Sequence, residues 1–130
     1  MAEEIDIHSI AADMSTKLNI QYKIIEPNEE EREELGIEDR ADIDAEFRRV
    51  NNVQDYSEEL SLNNLSAKEY EKYDERTQNV YRQRELEWLR RINNLNTWPV
   101  LIICGANHCQ PFFELLSKKG ISPVITEYLR

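Results

Sequence analysis

Most of the chain is polar, and the few compact apolar runs predict its elements through their periods. Val100 to Cys104 is continuous and apolar, as expected of a strand covered on both faces in a parallel sheet. It ends at Gly105. Pro111 suits the first turn of a helix whose packing face is Phe112, Phe113, Leu115 and Leu116, and Gly120 suits its stop. Ile121 to Leu129 supplies another short strand. The order predicts a β-α-β crossover. Such sheets place ligands just beyond the carboxyl ends of their strands, here Gly105 to Gln110.

Earlier in the chain, apolar residues at 7, 10, 11, 14 and 18 predict an amphipathic helix over Ile5 to Leu18, packed on the sheet. Ile20, Tyr22 and Ile24 alternate with Gln21 and Lys23, so Asn19 to Ile25 reads as a strand closed by Pro27. Asn28 can cap a short helix to Leu35, stopped by Gly36. Residues 37–64 read as loop or short helices. Ser66 with Glu69 forms a capping-box pattern, and nothing breaks the following helix before Asn93. Its inward stripe is Tyr70, Tyr73, Thr77, Val80 or Tyr81, Trp88, Ile92 and Leu95. The spacing demands one more inward residue, Arg84 or Glu85. The expected fold is therefore one α/β domain over residues 1–130, with about three mostly parallel strands, a long helix and an acidic excursion at 26–64.

Charge sharpens this picture. The chain has 130 residues and a net charge of −10. Eleven acids between Glu26 and Glu46, against Arg32 and Arg40, account for −9 of it. Such a block reads either as a solvated, mobile segment or as an acidic surface for a basic partner protein. The excess of 26 acids over 16 Lys and Arg argues against a nucleic-acid partner. No run is apolar enough for a membrane span, and the start of the chain lacks a signal-peptide pattern, so a cytoplasmic protein is expected. Cys104 and Cys109 read as reduced thiols. Open sheet edges make self-association an expectation as well.

The chemistry converges on Gly105-Ala-Asn-His108. His108 is the candidate catalytic residue or ligand to a divalent metal, although the only other histidine is His8 and no paired metal-ligand motif accompanies it. Arg84, placed by helix geometry toward that turn, is a candidate catalytic or anion-holding residue. Gly105, Asn107 and Glu85 are candidate ligand-binding residues. Cys109 could act as a nucleophile, but no oriented third group can be named for it.

Arg84, Trp88 and Ile92 on one helix, then an apolar run ending in Gly105-Ala-Asn-His108, then a short helix with paired leucines and Gly120, together resemble the C-terminal half of the TraB/Tiki superfamily. That group includes ChaN-like and erythromycin-esterase-like proteins. The resemblance covers residues 84 to about 126. It implies an α/β fold, with His108 as metal ligand or catalytic group and Arg84 as a site residue in a metal-dependent hydrolase. The family's earlier Gly-x-x-His turn has no counterpart among Gly36, Gly105 and Gly120. The expectation is thus a reduced relative, part of a longer protein, or a domain whose site another copy completes. The alternative is a non-catalytic, acidic protein-binding domain of inhibitor or immunity type.

Overall fold

The computed structural model describes residues 7–125, with side chains from Ile10 onward, and every regular element among them is a helix. In chain order these are α1 (Ile7–Leu18), α2 (Glu29–Glu34), α3 (Arg40–Val50), α4 (Ala67–Leu95) and α5 (Ala106–Lys118). The longest, α4, forms the axis, with α3 packed on its first half and α5 on its second.

Local chemistry accounts for the helix ends. Asn28 accepts from the Glu31 N–H and the Glu31 carboxylate accepts from the Asn28 N–H, a complete capping box for α2. Asp39 caps α3 through the Ala41 N–H. Ser66 caps α4 through the Glu69 N–H. The Glu69 carboxylate, expected to complete that cap, instead accepts from Asn51 and pairs with Lys72. No Gly or Pro interrupts α4, which ends where Asn96 turns left-handed at φ 49°.

Two apolar clusters line this axis. Ile37, Ile43, Phe47, Leu60, Leu65, Tyr73 and Val80 form the first, between α3, the 51–65 loop and α4. Trp88, Leu89, Ile92, Phe112 and Leu116 form the second, between α4 and α5. Tyr81 and Glu85 lie between them on α4.

The α/β fold with a three-strand, mostly parallel sheet is overturned. Residues 20–25, 100–104 and 121–125 are extended, yet no backbone hydrogen bond between described residues joins one of these segments to another. Ile25, Ile102, Cys104 and Ile121 each turn onto the second cluster, while Ile20 and Ile24 face outward. Leu101 and Ile103 are 78% and 63% exposed, so the apolar run at 100–104 is covered on one face, not two. Alternating burial on a helical layer, without a ladder, explains the strand-like pattern. Residues 126–129 of the last expected strand, and Ile5 and Asp6 of the first expected helix, lie outside the described residues.

Two other expectations are corrected. Among the described residues α1 meets no other helix, and Ile10, Met14 and Leu18 on its apolar stripe are exposed rather than packed on a sheet. α5 starts at Ala106 behind its N-cap Gly105, more than a turn before Pro111, which lies inside the helix and has no N–H for the Asn107 carbonyl. The Gly105 to Gln110 stretch is the helix's opening rather than a loop. The acidic residues 26–46 are drawn into α2, α3 and ion pairs: Glu26 with Arg84, Glu31 with Arg91, Glu38 and Glu46 with Arg76, and Asp44 with Arg48.

Candidate functional site

Tyr81, Glu85 and Trp88 stand at i, i+4 and i+7 along α4 and so share one face. His108, the third residue of α5, drops onto that face. Its ring lies 4.8 Å from the Tyr81 ring and 4.8 Å from the Trp88 ring, and Phe112, one turn on, packs edge-on against Trp88. The aromatic contacts enclose the imidazole, which is 7% exposed, and bring its Nδ1 to 3.6 Å from Oε2 of Glu85.

Glu85 is 1% exposed. The gap in the inward stripe of α4 is thus filled by the carboxylate and not by Arg84. Arg82 Nε lies 2.8 Å from Glu85 Oε2, but neither carboxylate oxygen has a partner in hydrogen-bond geometry, and neither does Nδ1 of His108. Burial pushes the Glu85 carboxyl above its ordinary value, against the pull of Arg82. Burial, and then the nearby Arg84 guanidinium, push His108 down to about 4, so the imidazole is neutral at neutral pH. The same burial raises the half-buried Cys104 thiol.

Arg84 reaches the rim of this site from the solvent side. Its Nε donates to Glu26 Oε1 at 2.8 Å, and its guanidinium lies 5.9 Å from the centre of the Trp88 ring. Trp88 Nε1 donates to the other oxygen of Glu26 at 2.6 Å. Glu26, at the end of the extended segment 20–25, therefore ties that segment to α4. Its pairing with Arg84 and Trp88, 58 and 62 residues away, left no signature in the sequence. Arg82 carried one: it lies three residues before Glu85 on the same helix.

Gly105 and Asn107 are exposed at the start of α5. Gly105 has φ −63°, open to any residue, and a Cβ there would meet only His108 Cδ2 at 4.0 Å. Glycine is not required by the backbone at this position. Asn107 lines the end of a groove of about 620 Å³ between α3 and α4, together with Arg40, Tyr73, Thr77 and Tyr81. The candidate residues His108, Glu85 and Arg84 are thus brought together. Gly105 and Asn107 sit beside them on the outer side, and Cys109 is half-buried.

A structural or catalytic divalent ion takes three or more protein donors, or two with several waters. Among the described residues no group of three or more His, Cys, Asp and Glu side chains converges, so His108 and Glu85 would supply at most two of an ion's ligands. No helix among the described residues is long and apolar enough to cross a membrane. Comparisons with protein-family models, with curated proteins and with solved structures find no match to this chain.

Proposed function

We propose that Glu85 and His108 form one side of a hydrolase site of the TraB/Tiki type, completed by groups from a second copy of the chain. The observation that carries this reading is the buried carboxylate, held by Arg82 Nε at 2.8 Å, facing Nδ1 of a neutral imidazole at 3.6 Å, with Nδ1 itself lacking a hydrogen-bond partner. A purely structural histidine in such a place would be hydrogen-bonded. With Nδ1 turned to Glu85, the tautomer that carries its proton there leaves Nε2 with a lone pair, able to take a proton from an attacking water or to bind an ion. Tyr81 and Trp88 fix the ring, and Glu85 stabilises the imidazolium if it forms. Arg84 holds an anionic group at the rim once released from Glu26. An ion, if used, draws its other ligands from the second copy, and no step is assigned to it.

The test is hydrolysis of ester and peptide substrates by the purified chain, with and without Mn, Co and Zn. Hydrolysis is expected, and His108→Ala abolishes it while leaving the helical circular dichroism intact. Glu85→Gln lowers the rate on the order of a hundredfold to ten-thousandfold, the range for loss of acid–base assistance. Absence of both hydrolysis and metal binding in the wild type rejects the reading.

A second reading rests on α2. Glu29, Glu30, Glu33 and Glu34 are exposed there and form no ion pair among the described residues. They suit a basic protein partner, and neutralising Glu29 to Glu34 would then weaken the complex in a salt-dependent way. Unchanged binding removes this alternative.

A further inference from the structure

We infer that the groove between α3 and α4 binds a small zwitterion, an amino acid or a short peptide with free termini, whose carboxylate is held by Arg40 and whose ammonium faces Asp74. The groove offers about 620 Å³, within the range of small-molecule sites. Arg40 and Asp44 stand one turn apart on α3, and Tyr70, Asp74, Thr77 and Tyr81 stand at i, i+4, i+7 and i+11 on α4. These two rows are its walls.

Three polar groups along the walls are left over by the fold. Thr77, 5% exposed, lies midway between Tyr73 and Tyr81, four residues from each, and its Oγ1 is buried without a hydrogen-bond partner. A buried hydroxyl is ordinarily satisfied. Arg40 donates through Nη1 to Tyr81 Oη at 2.5 Å, and its guanidinium lies 5.6 Å from the centre of that ring, yet it forms no ion pair among the described residues. Asp74, one turn before Thr77, is exposed and forms none either. The remaining basic residue of the groove is spoken for, since Arg48 donates to Asp44, which also accepts from Tyr73 Oη.

Charge selects the ligand. With Arg48 and Asp44 paired, the lining keeps one cation, Arg40, and two acids, Asp74 and Glu59. A phosphate dianion would face both acids and a chain of net charge −10. A zwitterion instead sets its carboxylate on the planar fork of Arg40, which matches that group, and its ammonium on Asp74. A carboxylate seated on Arg40 gives the Thr77 hydroxyl an acceptor. Tyr70, one turn before Asp74, adds an aromatic ring beside the ammonium, and Leu60 adds apolar surface for the body of the ligand. This inference concerns binding and does not rest on the hydrolase reading of His108.

The test is isothermal titration calorimetry of the full chain at neutral pH with L-phenylalanine and with the dipeptide Ala-Phe, each beside its N-acetyl form and its carboxamide, and with inorganic phosphate. Phenylalanine has no bond to hydrolyse, so its binding is read apart from any turnover. At least one of the two zwitterions is expected to bind with a Kd at or below about 1 mM. Both of its blocked forms should bind at least about tenfold more weakly, because each loses a charge-assisted hydrogen bond. Arg40→Gln is expected to abolish the preference for a free carboxylate, and Asp74→Asn the preference for a free ammonium. Both side chains are exposed, so helical circular dichroism should be unchanged. Thr77→Val keeps the shape of the side chain and is expected to weaken the zwitterion severalfold. Absence of saturable binding by both zwitterions overturns the inference, as do equal binding of the blocked forms, tighter binding of phosphate, or preferences that survive Arg40→Gln and Asp74→Asn.

Discussion

Glu85 Oε2 and His108 Nδ1 stand 3.6 Å apart in the seam between the two apolar clusters, with Arg82 Nε 2.8 Å from Oε2 and no hydrogen-bond partner on Nδ1. Their environments push the two groups in opposite senses, which makes the stability of the fold depend on pH in a way that can be separated. His108 is depressed from 6.5 to about 4, so below pH 6.5 the unfolded chain takes up a proton that the folded chain refuses. Stability is lost as pH falls from 6.5 to about 4, by up to about 3 kcal/mol. Glu85 is raised, so its folded form keeps a proton that the unfolded chain releases, and acidification toward 4.5 adds stability. Urea denaturation of the wild type, His108→Asn and Glu85→Gln at several pH values tests both signs. His108→Asn should lose less stability on acidification than the wild type, and Glu85→Gln should lose more. Parallel curves for all three chains would remove both assignments.

Glu26 receives the Trp88 indole N–H on one oxygen and the Arg84 guanidinium on the other, and it anchors segment 20–25 to α4. Trp88→Phe keeps an aromatic ring against His108 and Phe112 but leaves one Glu26 oxygen without its donor. A charge-assisted hydrogen bond is worth about 1.5–3 kcal/mol, and the urea midpoint should fall accordingly. Removing Trp88 also leaves exposed Trp98 as the sole tryptophan, so the folded variant should emit at longer wavelength than the wild type. A loss as large as that of Trp88→Ala would show that packing of the indole ring outweighs its hydrogen bond to Glu26.

Arg48 is buried under the 51–65 loop. It donates to the Asp44 carboxylate and to the Asp55 and Glu58 carbonyls, with the Tyr56 ring 5.1 Å from its guanidinium. Three acceptors in different directions require the planar fork. Arg48→Lys should therefore destabilise the protein nearly as much as Arg48→Met, despite keeping the charge. Hydrogen exchange at residues 53–60 should accelerate in both variants. Full rescue by lysine would assign the role to charge alone.

Much of the helical fold was legible, because caps and stripes are local. Asn28, Ser66 and the uninterrupted stretch after it mark helix starts through side-chain oxygens that reach backbone three residues on. The seven-residue gap between Tyr81 and Trp88 was legible too, as a demand for one inward residue at 84 or 85. Sequence spacing cannot choose between neighbours on a helix, and packing chose the carboxylate at 85. The extended segments were misread for a different reason. Ile102 and Cys104 turn in while Leu101 and Ile103 turn out, a burial that a continuous apolar run does not reveal, and ladder bonds are decided by partners distant in the chain. Pro111 misplaced the start of α5, since its preference for a first turn does not forbid an earlier start at Ala106. The pairing of Glu26 with Arg84 and Trp88 had no local signal at all.

Ile43 and Ile92 are each 1% exposed, one in each cluster, with the Tyr81 and Glu85 seam between. Truncating either to Ala should cost about 2–5 kcal/mol, through lost burial and the cavity left behind. The clusters share no residue, so the double variant should lose the sum of the single losses to within about 0.5 kcal/mol. α4 nevertheless runs through both clusters without a Gly or Pro, and the structure offers no place where one half could melt alone. Each variant should accordingly unfold in one transition, with fluorescence and circular dichroism coinciding. Two separated transitions in Ile43→Ala would mean that the first cluster unfolds independently and that the seam at Glu85 and His108 acts as a boundary between two folding units.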